Sequence, residues 1–168
     1  MNDDNVISLH SEDHFHPRIS EAAVNINCFK VALDRAVIGF EIDDEGDIYV
    51  NDGLEFPFWI SIDTGSKLVR FYTWWQEDNG SLHDVNELNR TYKAVQFCLQ
   101  EGKISGSYYF TYKYGLDSRH FIIMARQFSA ICRSGKEHMD DTVLKRDQTS
   151  VVAFAPIGDQ PSDQTASN

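Results

Sequence analysis

The chain has 168 residues, the size of one ordinary domain, which is enough to bury a large hydrophobic core. Its formal charge is −11, from 26 acidic against 15 basic side chains, and 42% of its residues are hydrophobic. A negative charge of this size repels phosphate backbones and anionic lipid surfaces, so we expect neither nucleic acid nor a membrane as a partner. The acidity either keeps the protein soluble or attracts basic partners, and the composition leaves both readings open.

The cysteines and the first residues indicate a reducing, cytoplasmic location. Cys28, Cys98 and Cys132 are an odd number of widely separated thiols without a C-x-x-C pair, which predicts buried, reduced core residues. The first residues are acidic where a secretion signal needs basic ones, and no apolar run approaches the roughly 20 residues of a membrane span. We therefore expect a cytoplasmic protein.

The first half of the chain changes from a helical pattern to a strand pattern. Residues 1–17 are polar and predict a flexible leader. From Ile19, apolar residues recur at three- and four-residue steps behind a possible cap at Ser20, which predicts a first helix ending near Arg35. After Gly39 the period falls to two and turns recur, which predicts four strands, the last two being FPFWISID and LVRFYTWW.

The second half repeats this change. Ser81 and Asp84 form a capping box that begins a short helix. The segment AVQFCLQEGKISGSYYF then alternates around the turn EGK and predicts a hairpin. An amphipathic helix begins at Asp117 or Ser118, and Gly135 is the predicted end of that helix.

The order of these elements is α-β-β-β-β-α-β-β-α, in which hairpins dominate. It predicts an α+β fold with an antiparallel sheet and helices packed on one face. We place this single domain at residues 18–136 and expect residues 137–168 to form a mostly flexible tail. Whether the apolar segment 151–158 docks on the domain stays open at this stage.

The segment from Gly39 to Arg133 resembles the YbjN family of bacterial proteins, which are named as sensory transduction regulators. The resemblance rests on the two strands FPFWISID and LVRFYTWW, the pair Asn86-x-x-Asn89, the hairpin and the amphipathic closing helix. The family usually carries a tryptophan beside the paired asparagines, and this chain has none there. The resemblance implies a fold like that of class I type III secretion chaperones, and a small acidic protein, often a homodimer, that holds a segment of another chain.

The sequence contains no motif that indicates a catalytic site or an ordered metal site. The phosphate-binding and nucleophile motifs are absent. His10, His14 and His16 with Asp13 could bind a transition metal, but the leader offers no scaffold to orient them. The acidic run 43–47 lacks the final glutamate of a calcium loop and lies between strand patterns, so it predicts a hairpin turn. We expect no metal, no cofactor and no enzymatic activity.

Aromatic residues occupy both faces of the predicted sheet. One face holds the partners of the helices, with Phe58, Phe71, Trp75 and Phe110. The other carries the residue types that dominate protein interfaces, namely Trp59, Arg70, Tyr72, Trp74 and Tyr109. Because the helices cover only one face, this second set predicts an interface, and three partners stay open for it: a client protein, a dimer partner or the C-terminal segment VVAFA of the same chain.

These observations predict a non-catalytic, chaperone-like or regulatory binding module that holds a segment of a client protein as a homodimer. Asn86 and Asn89 face away from the apolar stripe of their helix, where paired amides either recognise a peptide backbone or cap a neighbouring turn. The alternative function is a small-ligand sensor whose apolar pocket between sheet and helices includes Tyr108, Tyr112 and Met124.

Overall fold

The computed structural model describes residues 18–152, with side chains up to Leu144. The predicted leader at residues 1–17, with its histidines, lies outside the described residues. The same holds for the chain after Val152, which includes most of the apolar segment 151–158.

The described chain contains three α-helices and six strands in the predicted order. Their bounds are α1 (Ile26–Arg35), β1 (Gly39–Ile42), β2 (Ile48–Asp52), β3 (Phe58–Asp63), β4 (Leu68–Gln76), α2 (Leu82–Thr91), β5 (Gln96–Gln100), β6 (Lys103–Thr111) and α3 (Ser118–Val152). All strands pair antiparallel in one sheet of order β1-β2-β3-β4-β6-β5. The predicted α+β class, an antiparallel sheet with helices, is confirmed.

Alternation along the strands places one face of the sheet in the core. The buried positions of β4 are Val69, Phe71, Thr73 and Trp75. Helix α3 covers this face, since the rings of Phe121 and Phe128 lie 5.8 Å and 5.7 Å from the ring of Phe71. Helix α1 packs on α3 through Phe29, whose ring is 5.0 Å from that of Phe121. The alternate residues of β4 therefore project from the opposite face, away from α1 and α3.

The first helix begins later than predicted. Ser20 makes no cap, and Asn25 is the N-cap, its side-chain oxygen accepting a hydrogen bond from the N–H of Asn27 at 2.9 Å. The cause is a tertiary contact, because Ile19 and Leu116 exchange two backbone hydrogen bonds of 2.8 Å. This pairing holds the chain extended at the position where periodicity placed the helix start, whereas the helix end is as predicted.

The predicted end of the last helix at Gly135 was wrong, because α3 continues to Val152. Segment 137–152 is thus helical where a flexible tail was predicted. Gly135 is buried, and a Cβ at this position would meet the ring of Phe97 at 3.3 Å, so glycine lets α3 approach β5 closely. Met139, one turn later, is fully buried. Within residues 18–152, no helix combines the length and the apolar character that crossing a bilayer requires.

The three cysteines are free thiols, but they are not all core residues. Cys132 is buried on α3, and burial raises the pKa of its thiol. Cys28 is half-buried and Cys98 is exposed, so the prediction of burial was wrong for these two. Cys98 lies on β5 between the core residues Phe97 and Leu99, and the alternation of the strand turns it to the opposite face.

Candidate protein-binding face

A row of aromatic rings crosses the face of the sheet that α1 and α3 leave uncovered. Tyr49 on β2 lies directly opposite Trp59 on β3, and Trp59 lies directly opposite Tyr72 on β4. Both pairs are stacked, with ring centroids 4.6 Å and 5.7 Å apart. Directly opposed residues of an antiparallel pair have their Cβ atoms about 5 Å apart, so the register of the strands brings these rings into contact.

Arg70 extends this row towards β6. Its guanidinium carbon lies 4.5 Å from the ring centroid of Tyr72 and 5.6 Å from that of Tyr109, which is cation–π geometry. One terminal nitrogen of Arg70 donates to the hydroxyl of Ser107 at 3.1 Å. Its Nε is buried and has no hydrogen-bond partner among the described residues. The guanidinium of Arg70 therefore contacts the rings of both Tyr72 and Tyr109, and none of the ion pairs within residues 18–144 includes it.

Trp74 lies at the other end of β4, where the ammonium nitrogen of Lys103 is 4.6 Å from its ring centroid. Trp74 and Tyr109 remain 49% and 50% exposed, whereas Trp59 and Tyr72 are half-buried against their neighbours. We call this surface the aromatic face and define it as Tyr49, Trp59, Arg70, Tyr72, Trp74 and Tyr109. Its most accessible parts are thus the two ends, at Trp74 and Tyr109.

The acidic run after β1 forms the predicted hairpin turn and supports the aromatic face. The carboxylate of Asp43 accepts hydrogen bonds from the N–H groups of Glu45 and Asp47, at 3.1 Å and 2.9 Å. The carboxylate of Asp47 in turn accepts a hydrogen bond of 3.0 Å from the hydroxyl of Tyr72. Burial, this hydrogen bond and the nearby negative charges raise the pKa of Tyr72 to about 12.

The raised pKa of Tyr72 predicts a loss of stability at alkaline pH. The unfolded tyrosine ionises near its ordinary pKa of about 10, so the unfolded chain releases this proton first. The stability that protonated Tyr72 contributes to the folded state is therefore complete below pH 10 and is lost as the pH rises towards 12. We expect Tyr72→Phe to flatten the fall in the free energy of unfolding over this window, as measured by urea titrations between pH 9 and pH 11.5.

The matched control for this titration is Tyr114→Phe, because Tyr114 is 78% exposed. This variant should show the same fall in the free energy of unfolding with pH as the wild type. Part of this fall will persist in Tyr72→Phe, since burial also raises the pKa of Tyr112. If the free energy of unfolding falls equally with pH in the wild type and in Tyr72→Phe, the loss of stability does not come from Tyr72.

The two asparagines of α2 have different surroundings. The side-chain nitrogen of Asn89 donates to the carbonyl of Phe97 at 2.9 Å, and its side-chain oxygen accepts from the N–H of Phe97 at 2.8 Å. Because β5 is an edge strand, Asn89 satisfies backbone groups that would otherwise face outward. Its amide is thus bound within the chain, which corrects the recognition role and supports the capping alternative. Asn86 is exposed.

Loss of the Asn89 amide should destabilise the sheet edge. We expect Asn89→Leu to lower the free energy of unfolding by about 2 kcal/mol, because the N–H and C=O of Phe97 lose both partners beside a buried ring. Asn86→Leu, one turn earlier on the exposed side, is the control and should change stability by less than about 0.5 kcal/mol. Thermal and urea unfolding of both variants measure the difference, and equal effects would show that the two hydrogen bonds contribute nothing.

The predicted ligand pocket between sheet and helices is filled by its own side chains. The hydroxyl of Tyr108 donates to the sulfur of Met124 at 3.4 Å, and Tyr112 is 1% exposed. These residues are packed against the core, so the structure does not support a pocket lined by them. A cavity of about 720 Å³ lies elsewhere, between α1 and the first turns of α3.

Five residues of the aromatic face lie on one surface, as their alternation in the sequence predicts, and two further contributors were not predicted. Tyr49 could have been found, since Ile48 and Val50 alternate with it and face the core. Lys103 could not have been found from the sequence. Its position over the ring of Trp74 depends on the pairing of β4 with β6, and α2 and β5 separate these two strands in the chain.

A match to a family model identifies the protein family of this chain. The YbjN family model, described as "Putative bacterial sensory transduction regulator", matches residues 29–141, more than half of the 168 residues. The chain belongs to the YbjN family. The resemblance predicted from its motifs is therefore confirmed, and the matched YbjN region runs into α3 beyond the predicted end of the domain.

Two solved structures are similar to this YbjN-family chain. The crystal structure of YbjN from E. coli, described as "a putative transcription regulator", matches with a TM-score of 0.56 and 12% identity, over 73% of this chain and 94% of that one. The HopA1-SchA chaperone-effector complex matches with a TM-score of 0.48 and 10% identity, over 68% of this chain and 91% of that one. The match to E. coli YbjN shows a shared fold. No curated protein matches the chain.

Proposed function

We propose that this YbjN-family protein is a non-catalytic, chaperone-like or regulatory module that works as a homodimer and holds a segment of a client protein on its aromatic face. The observation that carries the proposal is the row of rings with Arg70 between Tyr72 and Tyr109, on the side of the sheet away from α1 and α3. Tryptophan, tyrosine and arginine supply most of the binding energy in protein interfaces.

The geometry of the face favours a protein segment over a small molecule. The rings lie side by side across three strands, so they form an extended surface with exposed ends at Trp74 and Tyr109. Stacking, cation–π contacts and the hydrogen bond to Ser107 already restrain the side chains. Little conformational entropy is then lost when a partner covers them, which strengthens binding.

A face-bound client is also favoured over one that extends the sheet. Strand addition needs free N–H and C=O groups on an edge strand. Asn89 already binds both groups of Phe97 on β5. At the other edge, β1 has only four residues and its pairing with β2 is irregular at Gly39 and Phe40.

The charge of −11 favours basic clients. Long-range attraction speeds the encounter of oppositely charged proteins and is screened by salt. We therefore expect the association rate with the client to fall between 50 mM and 500 mM salt, a range over which the Debye length shrinks from roughly 14 Å to 4 Å.

Affinity capture from cells of the source organism, followed by binding measurements with the purified client, tests the proposal. Wild-type protein should bind a protein client directly and should sediment as a dimer at micromolar concentration. A monomer in analytical ultracentrifugation would contradict the homodimer. A tightly retained small molecule in native mass spectrometry, without a protein client, would favour the ligand-sensor alternative instead.

A further inference from the structure

A groove of about 720 Å³ lies between α1 and the first turns of α3, in the helical layer of the molecule. The aromatic face lies on the other side of the sheet, so the two surfaces are separate. The groove is lined from α1 by Cys28, Val31 and Arg35, and from α3 by Arg119, Ile123 and Arg126.

Several side chains that line the groove are apolar and accessible. Val31 is 47% exposed and Ile123 is 43% exposed. Ile19, near the start of the described chain, contributes a third branched side chain. Aliphatic side chains that share a concave surface release water when they are covered, so the groove favours an occupant with apolar side chains.

The groove is also lined by basic side chains, in contrast to the acidic composition of the whole chain. Arg35, Arg119 and Arg126 line it, and its described lining contains no acidic residue. None of these three takes part in the ion pairs found within residues 18–144. Three arginines together in a chain with 26 acids and 15 bases favour an occupant that carries carboxylates.

Residues 1–17 of this chain have the required composition. The segment MNDDNVISLHSEDHFHP carries four acids and no lysine or arginine, and it contains the apolar side chains of Val6, Ile7, Leu9 and Phe15. It joins the described chain one residue before Ile19, which itself lines the groove. A tethered segment at this point has a high effective concentration at the groove.

The chain after Val152 is a weaker candidate. Arg126 is the last groove residue on α3, and Val152 follows it by 26 residues (152 − 126), which is about 39 Å of helix. Residues 153–168 also contain only two acids. Both distance and charge therefore favour the segment that precedes Ile19.

We propose that the groove between α1 and α3 binds residues 1–17 of the same chain, with their acids against Arg35, Arg119 and Arg126 and their apolar side chains on Val31 and Ile123. This interaction does not depend on the client-binding proposal. It concerns a different surface, and its test uses the purified protein without a client, so either proposal can fail alone.

The native thiol of Cys28 reports on the groove. In the full chain carrying Cys98→Ser, Cys28 is the accessible thiol, and buried Cys132 is a slow internal reference. Replacing the four acids of residues 1–17 by lysine should speed alkylation of Cys28 by N-ethylmaleimide by about fivefold, because the segment no longer covers the groove. Raising salt to 1 M should speed the reaction in the parent protein and not in the lysine variant. Unchanged rates would overturn the proposal.

Disulfide formation gives a second readout in the full chain. Val6→Cys, Ile7→Cys and Leu9→Cys are each combined with Cys98→Ser and oxidised, and at least one should form an intramolecular disulfide with Cys28, as mapped by mass spectrometry. Ile157→Cys in the same background is the matched control for the other end of the chain. Disulfides between chains would mean that a second copy occupies the groove, and a disulfide only in the control would mean that the C-terminal segment does. Either result overturns the proposal.

Discussion

Trp74→Ala is expected to weaken client binding by about 1–3 kcal/mol, roughly 5- to 150-fold in the dissociation constant, with little change in stability. Trp74 is 49% exposed on the aromatic face and contacts Lys103 through a cation–π pair. Removing its ring deletes contact area for a partner and costs the isolated protein one surface contact. The free energy of unfolding should therefore stay within about 1 kcal/mol of the wild type.

The neighbouring tryptophan is the matched control. Trp75 is 6% exposed on the core side of β4, and its ring packs edge-on against Phe56 and Phe97. Trp75→Ala should cost about 3–5 kcal/mol of stability. Calorimetry with the purified client and urea unfolding of both variants separate the two roles. Unfolding of Trp74→Ala at the same denaturant concentration as Trp75→Ala, or unchanged client affinity, would contradict the binding role of the aromatic face.

Phe71→Ala should cause a large loss of stability, about 3–5 kcal/mol in the free energy of unfolding. Phe71 is fully buried at the centre of the sheet. Its ring lies within 6.0 Å of five other aromatic rings, which belong to Phe58, Tyr108, Phe110, Phe121 and Phe128. Alanine would leave a cavity between the sheet and α3, because backbone elements on both sides limit collapse.

Tyr72→Ala, the next residue on β4, is the control for this prediction. Its ring lies on the aromatic face and stacks on Trp59, and its hydroxyl donates to Asp47. We expect a loss of about 1–2 kcal/mol, since the site is half-buried and water can fill the space. Urea unfolding followed by circular dichroism measures both variants. A loss of less than 1 kcal/mol for Phe71→Ala would show that α3 does not depend on this ring cluster.

The composition of the two sheet faces was predictable from the sequence, because a strand has a side-chain period of two. Trp74 and Trp75 are adjacent in the chain, and alternation alone assigns them to different faces. The direct neighbours across strands were not predictable in the same way. The stack of Tyr49 on Trp59 follows from strand register, and the contact of Arg70 with Tyr109 follows from the pairing of β4 with β6, which are separated by α2 and β5.

Glycine and asparagine show where local rules fail. Gly135 is read locally as a helix end, because glycine is a poor helix former. In the fold it permits contact between α3 and Phe97, and the energy of that packing exceeds the local preference. Local rules leave two roles open for Asn89, recognition of a peptide backbone or capping within the chain, and the fold decides for the second because the edge of β5 lies within hydrogen-bond distance of its side chain.

The order of the elements, the α+β class and the side of the sheet on which each aromatic residue lies could be predicted from the sequence, because they follow from periodicity and turn chemistry within short segments. The family was predicted from the resemblance of its motifs to those of YbjN proteins. Tertiary structure alone decided the length of α3, the partner of Asn89, the stacking order on the aromatic face and the basic groove between α1 and α3. Each of these depends on contacts between residues far apart in the chain, and no local pattern encodes which distant surfaces meet.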